Sequence, residues 1–313
     1  MATISGIMYI YYAQIDALAI VSKNVFIINM NIFYGVSGRL IDVTNICVNQ
    51  LTRQNIMTIP SGDERRAAYF TDPLVGSVKK IYIIQDDTLS VYEQSQEVQI
   101  DCTDWRTADI HSKLRINYGS FRDELPEQKM VVRYLTGAEK VLEIGGNIGR
   151  NSLVIAQILR NSAHLVTLES DPDIANQLRE NRDLNHLDFH VESSALSNRR
   201  LIQRGWETVV SDTLEDGYKW VDTITLPELR AKYDIEFDTL VLDCEGAFYY
   251  ILMDMPEILV NVNLVIMEND YWDINKKRFV DSVLTANGFS VDYSEGGGWG
   301  PCADYFYEVW KKR

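Results

Sequence analysis

The second half of the chain alternates short runs of apolar residues with longer segments in which apolar residues recur every three or four positions. Short apolar runs bounded by turns are typical of buried strands, and the longer segments are typical of helices that cover a sheet. The pattern predicts strands at 140–144, 165–169, 189–191, 239–242 and 264–267, and helices at 150–160, 172–185, 227–233, 249–258 and 275–286. This alternation indicates an α/β fold with a parallel sheet. Two final strands, 289–293 and 305–310, are expected to form an antiparallel hairpin around 295–301.

The pattern changes near residue 105, and the residues before it predict a smaller unit of antiparallel strands. Turn signals such as Asp72-Pro73 separate short apolar pieces at 25–34, 40–43, 55–59, 80–85 and 89–101. We therefore predict a β-rich accessory domain over 1–104, with its strands between about 30 and 103. The larger domain covers 105–313 and begins with a connecting segment, 105–135, in which we expect helix.

A glycine-rich turn follows the first strand of the larger domain and gives the clearest indication of a ligand. The strand ends near Glu143, and Gly145, Gly146, Asn147 and Gly149 precede the next helix. Small residues let a backbone approach a ligand closely, and a helix N-terminus offers unpaired N–H groups. The leading carboxylate would repel a pyrophosphate, whereas it suits a ligand with positive charge. S-adenosyl-L-methionine (SAM), with its amino group and sulfonium, is such a ligand.

A second acid follows the next predicted strand and supports the same ligand. Glu169 comes twenty positions after Gly149, and a carboxylate at this place accepts the ribose hydroxyl protons of an adenosine. Asp171 stands directly before Pro172. We interpret Asp171 as a helix N-cap, with ligand contact as the alternative.

The residues after the third predicted strand are expected to hold the adenine ring. Ser193 and Ala195 are small, so a flat ring can lie close to the backbone there. The amino group of the adenine needs an acceptor, for which Glu192 and Ser193 are the candidates. A simple exit from strand to loop is the alternative for either residue.

Four carboxylates follow the fourth and fifth predicted strands: Asp243, Glu245, Glu268 and Asp270. Neighbouring carboxylates repel one another unless the sulfonium, a divalent cation or a shared proton offsets their charge. Methyl transfer to an alcohol needs a base aligned with the attacking hydroxyl. We predict Asp243 as this base or as the group that orients the hydroxyl, with Glu245 and Glu268 completing an acidic cup. Alternatively, the four acids are helix N-caps and solvated loop residues.

These segments together resemble the FkbM-type SAM-dependent methyltransferases. That family has a D-x-G-A-N-x-G loop, an acid and a proline after the second strand, K-x-D-x-E-G-A-E on the fourth strand, and a glutamate on the fifth. The matching segments are Glu143-Ile-Gly-Gly-Asn-Ile-Gly149, Glu169-Ser-Asp-Pro172, Val241-Leu-Asp-Cys-Glu-Gly-Ala-Phe248 and Glu268. The resemblance covers about residues 135–313 and implies a Rossmann-like class I methyltransferase sheet and an O-methyltransferase, often one that acts on sugars.

The chain departs from the family pattern at several positions, three of which bear on its chemistry. Glu143 replaces an aspartate, which is a mild change, whereas Val241 replaces the lysine and Phe248 the second glutamate. Any role of that lysine–glutamate pair is therefore lost or moved.

Glu268 and Asn269, together with Asp243, also resemble the metal-bridging acids of magnesium-dependent catechol-type O-methyltransferases. Oxygen ligands of this kind suit Mg²⁺, which keeps several waters. The sequence leaves a magnesium ion open and does not favour it. Turnover that is unchanged by EDTA would exclude it.

The charge of the chain restricts the acceptor. The 313 residues suffice for two domains, and their net charge is −15, with acids spread along the chain. A nucleic-acid or anionic membrane partner needs a basic face, and the basic clusters, such as 276–278, are short. We therefore expect neither nucleic acid nor membrane as a partner, but a small neutral or cationic molecule or a neutral glycan.

Cysteine usage predicts a reducing compartment. The four cysteines are far apart and form no C-x-x-C pair, which argues against a disulfide framework and a zinc site. The first thirty residues are apolar in part. Polar residues interrupt them before about 18 apolar positions accumulate, and no basic region precedes them. We interpret them as buried strand or helix, or as a poorly ordered start, rather than as an export signal, and we expect a cytoplasmic protein.

The leading hypothesis is an enzyme that transfers a methyl group from SAM to a hydroxyl of a sugar. Tyr271, Trp272 and Trp299 are candidates to stack on the sugar ring, with core packing as the alternative. The acceptor is expected to contact the variable segments 197–236 and 294–303. The first rival is a carbohydrate-binding or scaffolding protein whose methyltransferase fold is vestigial. The second is a methyltransferase for another small polar acceptor.

Overall fold

The computed structural model describes residues 30–313 apart from 54, 86, 87 and 206. The chain divides into two compact units, Met1–Ser112 and Lys113–Arg313. The interpretation of the first thirty residues lies outside the described residues, except for residue 30. In the part that is described, no helix has the length and apolar character needed to cross a bilayer.

The first unit contains two antiparallel sheets. Its strands are β1 (Met30–Val36), β2 (Arg39–Asp42), β3 (Thr52–Arg53), β4 (Ile56–Ile59), β5 (Lys80–Gln85), β6 (Thr88–Tyr92) and β7 (Val98–Asp101). Its helices are α1 (Thr44–Leu51), α2 (Asp63–Phe70) and α3 (Thr103–Lys113). The first sheet has the order β2-β1-β5-β6 and the second β3-β4-β7. Apolar side chains from both sheets, such as Ile32 and Ile59, are buried in one core.

Two features of this unit differ from the prediction. Residues 89–101 form two strands rather than one, because a turn closed by the Gln96 N–H bond to the Glu93 carbonyl (3.2 Å) interrupts them. Helices α1 and α2 were not predicted. In α2 a buried arginine occupies a core position, and Arg66 Nε donates to the Pro60 carbonyl at 2.8 Å. A charged residue on the buried face interrupts the spacing of apolar residues from which a helix is predicted.

The second unit begins with a helix and then alternates strands with helices. Its helices are α4 (Leu125–Tyr134), α5 (Arg150–Ile158), α6 (Pro172–Leu184), α7 (Leu226–Tyr233), α8 (Phe248–Asp254) and α9 (Ile274–Ala286). Its strands are β8 (Val141–Ile144), β9 (Leu165–Leu168), β10 (His190–Glu192), β11 (Ala195–Leu196), β12 (Leu201–Arg204), β13 (Glu207–Val210), β14 (Lys219–Val221), β15 (Thr223–Ile224), β16 (Thr239–Leu242), β17 (Leu264–Glu268), β18 (Phe289–Glu295) and β19 (Tyr307–Lys312).

Seven of these strands form the central sheet, in the order β10-β9-β8-β16-β17-β19-β18. The first five are parallel to one another. β19 is antiparallel to both β17 and β18. The predicted Rossmann-like α/β class, with its C-terminal antiparallel hairpin, is therefore confirmed. The order of strands reverses between β8 and β16, and open α/β sheets bind ligands at such a switch point.

The apolar runs of the sequence become the buried centre of this sheet. All residues of β8, β9 and β16 are buried, as expected for parallel strands with helices on both faces. Leu142, Val166 and Leu240 belong to the main core. The helix predicted at 249–258 ends at Asp254 instead, and a separate 3₁₀ helix begins at Pro256, because proline cannot donate the next helical hydrogen bond.

The segment 197–236 contains more structure than the short helix that was predicted in it. β12 pairs antiparallel with β13 and β14 to form a small sheet, and β11 pairs parallel with β15. β13 is largely exposed, so its sequence carries little of the apolar alternation that marks a strand. This three-stranded sheet contributes to the site described next.

Candidate active site

A cavity of about 670 Å³ opens at the carboxyl ends of β8, β9 and β16, next to the switch point of the sheet. Its volume lies within the range of about 300–1,000 Å³ that is usual for small-molecule sites. The predicted site residues that line it are Gly145, Asn147, Glu169, Ala195, Asp243 and Glu245. Those that do not line it are Glu143, Gly146, Gly149, Ser193 and Glu268. The small sheet β12–β14 provides a further wall.

Backbone hydrogen bonds fix the glycine-rich turn to the neighbouring strand β9. The N–H groups of Gly145 and Gly146 both donate to the Leu168 carbonyl, at 3.0 and 2.9 Å. The N–H of Asn147 donates to Glu169 Oε2 at 2.9 Å. The predicted turn and the predicted second acid are thus joined directly.

Protein packing requires glycine at two positions of this turn. Gly145 has φ +92°, and a Cβ there would lie 1.5 Å from the carbonyl oxygen of Asp243. A Cβ at Gly146 would lie 2.2 Å from Thr167 Oγ1. At these two positions the packing of the protein by itself excludes a side chain. They let the turn lie against the ends of β16 and β9.

Glu143 is buried behind the turn, with 2% of its surface exposed. The Ser152 hydroxyl of α5 donates to Glu143 Oε2, and Ser152 Oγ is also 3.5 Å from Thr167 Oγ1. Burial raises the pKa of Glu143 to about 7, although the two hydroxyls oppose this shift. Because this carboxyl does not reach the cavity, the predicted direct contact with a cationic ligand is replaced by a bond between β8 and α5.

Glu169 lies in the cavity wall, as the ribose-binding role requires. Its Oε1 accepts from the Asp171 N–H at 2.8 Å and its Oε2 accepts from the turn. Each carboxylate oxygen keeps a further lone pair for a ligand hydroxyl. Asp171 is the N-cap of α6, as predicted, and accepts from the Asp173 N–H at 2.9 Å.

The candidates for the amino group of adenine lie elsewhere. Glu192 accepts from Lys232 Nζ at 2.6 Å and from the Tyr233 hydroxyl at 2.8 Å. Neither Glu192 nor Ser193 lines the cavity, whereas Ser194 and Ala195 do. The carboxylate of Glu192 therefore holds α7 against the sheet.

Gln203 of β12 is a cavity residue that the sequence did not reveal. It is 5% exposed, and its Nε2 donates to Ser170 Oγ at 3.0 Å. Its Oε1 has no hydrogen-bond partner within the described part of the chain. A buried amide oxygen without a partner is costly, so this oxygen is available to a ligand donor. The sequence of β12 gives no signal for this role.

Asp243 and Glu268 lie side by side at the ends of the adjacent strands β16 and β17. Burial raises the pKa of Asp243, and the neighbouring charge of Glu268 and the hydrogen bond between the two raise it further. Burial also raises the pKa of Glu268 to about 7, while the bond with Asp243 lowers it. Both carboxyls therefore take up a proton more readily than free ones, and they titrate as a pair. Since Asp243 also lines the cavity, it connects the pair to the ligand space.

Glu127 of α4 is a third member of this group that the sequence analysis missed. One carboxylate oxygen from each of Glu127, Asp243 and Glu268 lies within 4.8 Å of the other two. Burial raises the pKa of Glu127 well above its usual range, and the charges of the other two add to the shift. A signal was present, because Glu127 precedes Met130 and Val131 by three and four positions on the buried face of the helix.

Of the other two predicted acids, Glu245 lies in the turn after β16, and Asp270 follows β17 and bonds to that turn. Glu245 has φ +49° and Gly246 has φ +74°, and Asp270 Oδ1 accepts from the Gly246 N–H at 2.9 Å. Burial and the charge of Glu245 together raise the pKa of Asp270 to about 8. Asp270 thus stabilises the left-handed turn, while Glu245 is exposed at the rim of the cavity.

A row of aromatic rings leads from the surface to the carboxylates. Trp272 is 82% exposed, and its ring centroid lies 4.3 Å from that of Trp299. Phe306 follows at 6.3 Å from Trp299, and Tyr307 at 5.1 Å from Phe306. Burial raises the pKa of Tyr307, as do the charges of nearby acids led by Glu268. Tyr271, in contrast, belongs to the core.

Comparisons with known proteins add little to this geometry. No family model and no curated protein matches the chain, so the FkbM resemblance stays a prediction. Similar solved structures include ribosomal protein L11 methylase from Lactobacillus delbrueckii subsp. bulgaricus, at 12% identity over 63% of this chain and 82% of that chain, with a TM-score of 0.40. An O-methyltransferase from Bacillus cereus in complex with S-adenosylhomocysteine (SAH) is 16% identical. The match covers 67% of this chain and 90% of that chain, with a TM-score of 0.39. The SAM-bound O-methyltransferase TomG from Streptomyces achromogenes is 16% identical. The match covers 69% of this chain and 91% of that chain, with a TM-score of 0.38. Similarity at this level carries no argument about what this chain does.

Proposed function

We propose that this chain is a SAM-dependent O-methyltransferase that methylates a hydroxyl group of a sugar or glycan. The observation that carries the proposal is one cavity whose walls contain both Glu169 and Asp243. The first carboxylate suits the ribose of an adenosyl ligand, and the second belongs to an acidic group that offsets positive charge. SAM supplies an electrophilic methyl group on a sulfonium.

Three residues of the cavity would hold the adenosyl part of SAM. Glu169 has a free lone pair on each oxygen to accept from the ribose hydroxyls. The unpartnered Oε1 of Gln203 would accept from the amino group of adenine. Ala195 is small and lines the same cavity, so it leaves room for the ring. The turn at Gly145 and Asn147 closes this side of the cavity.

The Asp243–Glu268 pair would remove the proton of the acceptor. The hydroxyl oxygen forms a bond to the methyl carbon, the carbon–sulfur bond breaks, and SAH is left. The hydroxyl proton passes to the carboxylate pair. The proposal therefore widens the predicted role of Asp243 alone to two hydrogen-bonded carboxyls that titrate together.

The aromatic row supports a sugar as the acceptor. A pyranose ring presents C–H groups on one face and hydroxyls at its edge, and aromatic rings such as that of Trp272 offer a flat apolar surface. The row ends at Tyr307, near the carboxylates, so a stacked sugar would extend towards the acidic group. The cytoplasmic location and the absence of nucleic-acid and membrane partners remain predictions.

The proposal is tested by calorimetric titration with SAM and SAH. The wild-type chain is expected to bind both, and Glu169→Gln to bind them at least about tenfold more weakly, because a charge-assisted hydrogen bond contributes about 1.5–3 kcal/mol. Glu215→Gln, at an exposed position away from the cavity lining, is the matched control and should bind as the wild type.

The reaction itself is tested by mass spectrometry against a panel of sugars and small polar alcohols, each expected to gain one methyl group if it is a substrate. No binding of SAM or SAH at millimolar concentration would overturn the proposal. Binding of glycans without any methylation, unaffected by Glu169→Ala, would support the rival carbohydrate-binding protein instead.

A further inference from the structure

We propose that Glu127, Asp243 and Glu268 form a binding site for a hard divalent cation such as Mg²⁺. The site itself follows from geometry. Its purpose, which rests on the proposed function, is to place positive charge next to the acceptor hydroxyl and so ease the loss of its proton.

The distances between the three carboxylates fit one ion. One oxygen from each side chain lies within 4.8 Å of the other two. Oxygens that share a Mg²⁺ ion lie about 3–4 Å apart, because each Mg–O bond is about 2.0–2.1 Å long. The three ligands come from different elements, α4, β16 and β17, which meet at the carboxyl edge of the sheet.

An independent observation points to a missing partner at this place. Glu127 is 5% exposed, and its Oε1 has no hydrogen-bond partner among the residues that the structure describes. Directly before the same helix, Glu124 pairs with Arg150, with 2.7 Å between Oε1 and Nη1. The difference matters because a buried carboxylate oxygen without a donor or a cation is strongly disfavoured.

The negative charges around Glu127 also favour the binding of a cation. Asp243, Glu268, Glu124 and Glu143 all add negative potential at its carboxyl. A divalent ion with oxygen ligands would offset this repulsion and satisfy Oε1 at the same time. Glu127 comes from a helix outside the segments that carry the family resemblance, so its place in the group follows from the fold alone.

The experiment titrates Mg²⁺, and separately Mn²⁺, into chain that has been treated with EDTA and dialysed, in the absence of SAM. The wild type is expected to bind one ion. Glu127→Gln should bind it at least about tenfold more weakly, since even changes behind a metal ligand cost about 10–100-fold. Glu215→Gln should bind it as the wild type does. All three proteins should bind SAH equally well, which separates this result from the test of the proposed function.

Two results would overturn the cation site. One is a wild type that binds neither ion at millimolar concentration, which would mean that shared protons alone offset the charge. The other is a Glu127→Gln variant with wild-type affinity for the ion. If Glu127→Gln does not fold by circular dichroism, Glu268→Gln replaces it, with the same expected loss and the same refuting result.

Discussion

Replacement of Glu143 by glutamine is expected to change how the stability of the second unit depends on pH. The glutamine keeps the shape of the side chain and an oxygen that accepts from the Ser152 hydroxyl, but it carries no charge at any pH. The wild-type carboxyl has a pKa of about 7 in the folded chain because it is buried, whereas its pKa in the unfolded chain is close to 4.3.

The sign follows from proton uptake. Between the two pKa values the folded state holds a proton that the unfolded state has lost, so wild-type stability falls as pH rises through this window. One pKa unit corresponds to about 1.4 kcal/mol. Between pH 5 and pH 8 the wild type therefore loses about 2–3 kcal/mol through Glu143, and Glu143→Gln loses none of it. The stability of the variant relative to the wild type should therefore rise by this amount between pH 5 and pH 8.

Urea unfolding of both proteins at pH 5 and pH 8 measures the difference, since all other titrating groups cancel in the comparison. Glu215→Gln serves as the control and should follow the wild type at both pH values. A stability difference between Glu143→Gln and wild type that is equal at pH 5 and pH 8 would refute the reasoning. It would mean that Glu143 is already ionised at pH 5.

Gln203, Gly145 and Trp272 give three further predictions, and a substitution at Gly217 is a control for the second. Gln203→Leu should weaken SAH binding about tenfold, because one hydrogen bond to the adenine contributes about 1–1.5 kcal/mol, and should abolish the preference for SAH over its inosine analogue, both measured by calorimetry. Gly145→Ala should destabilise the second unit by more than about 3 kcal/mol in urea, because its Cβ would clash with the carbonyl of Asp243. Gly217→Ala has a similar positive φ but only an ordinary contact at 3.7 Å, so it should cost about 1–2 kcal/mol. Trp272→Ala should raise KM for the sugar several-fold, with SAH affinity unchanged.

Each of these has a result that contradicts it. Gln203→Leu fails as a test of adenine contact if the variant still distinguishes SAH from its inosine analogue. Equal destabilisation by Gly145→Ala and Gly217→Ala would show that backbone strain, and not the clash, decides the cost. Unchanged KM in Trp272→Ala would place the sugar elsewhere.

The sheet could be predicted from the sequence because its strands are mostly apolar and some of its helices begin at recognisable caps. Leu240 and Val241 belong to a short apolar run that is typical of a buried strand, and Asp171 before Pro172 marks the start of α6. The two acids at Glu169 and Asp243 were found for the same reason, since each directly follows such a strand and parallel strands end at one edge.

The missed residues lie where the fold, and not the local pattern, determines the neighbours. Gln203 is one amide in a short strand, and nothing in its sequence context indicates that its oxygen remains without a donor. Glu127 lies more than a hundred positions from its partners Asp243 and Glu268 along the chain. Glu143 and Gly146 were also predicted but do not line the cavity, because sequence shows which residues stand at a turn and not which of them face the cavity.

Asp243 belongs to two neighbouring sites, since it forms part of the cavity wall and of the group of three carboxylates with Glu127 and Glu268. Its carboxylate can therefore interact with a ligand in the cavity and with a cation at the carboxylate group. Thermodynamic linkage requires that each of these ligands change the affinity for the other by the same factor. A sulfonium in the cavity would compete with a cation at the carboxylates for this charge, whereas a neutral thioether would not. If both proposals hold, one aspartate would thus couple the loss of charge during methyl transfer to the affinity of the carboxylate group for its cation.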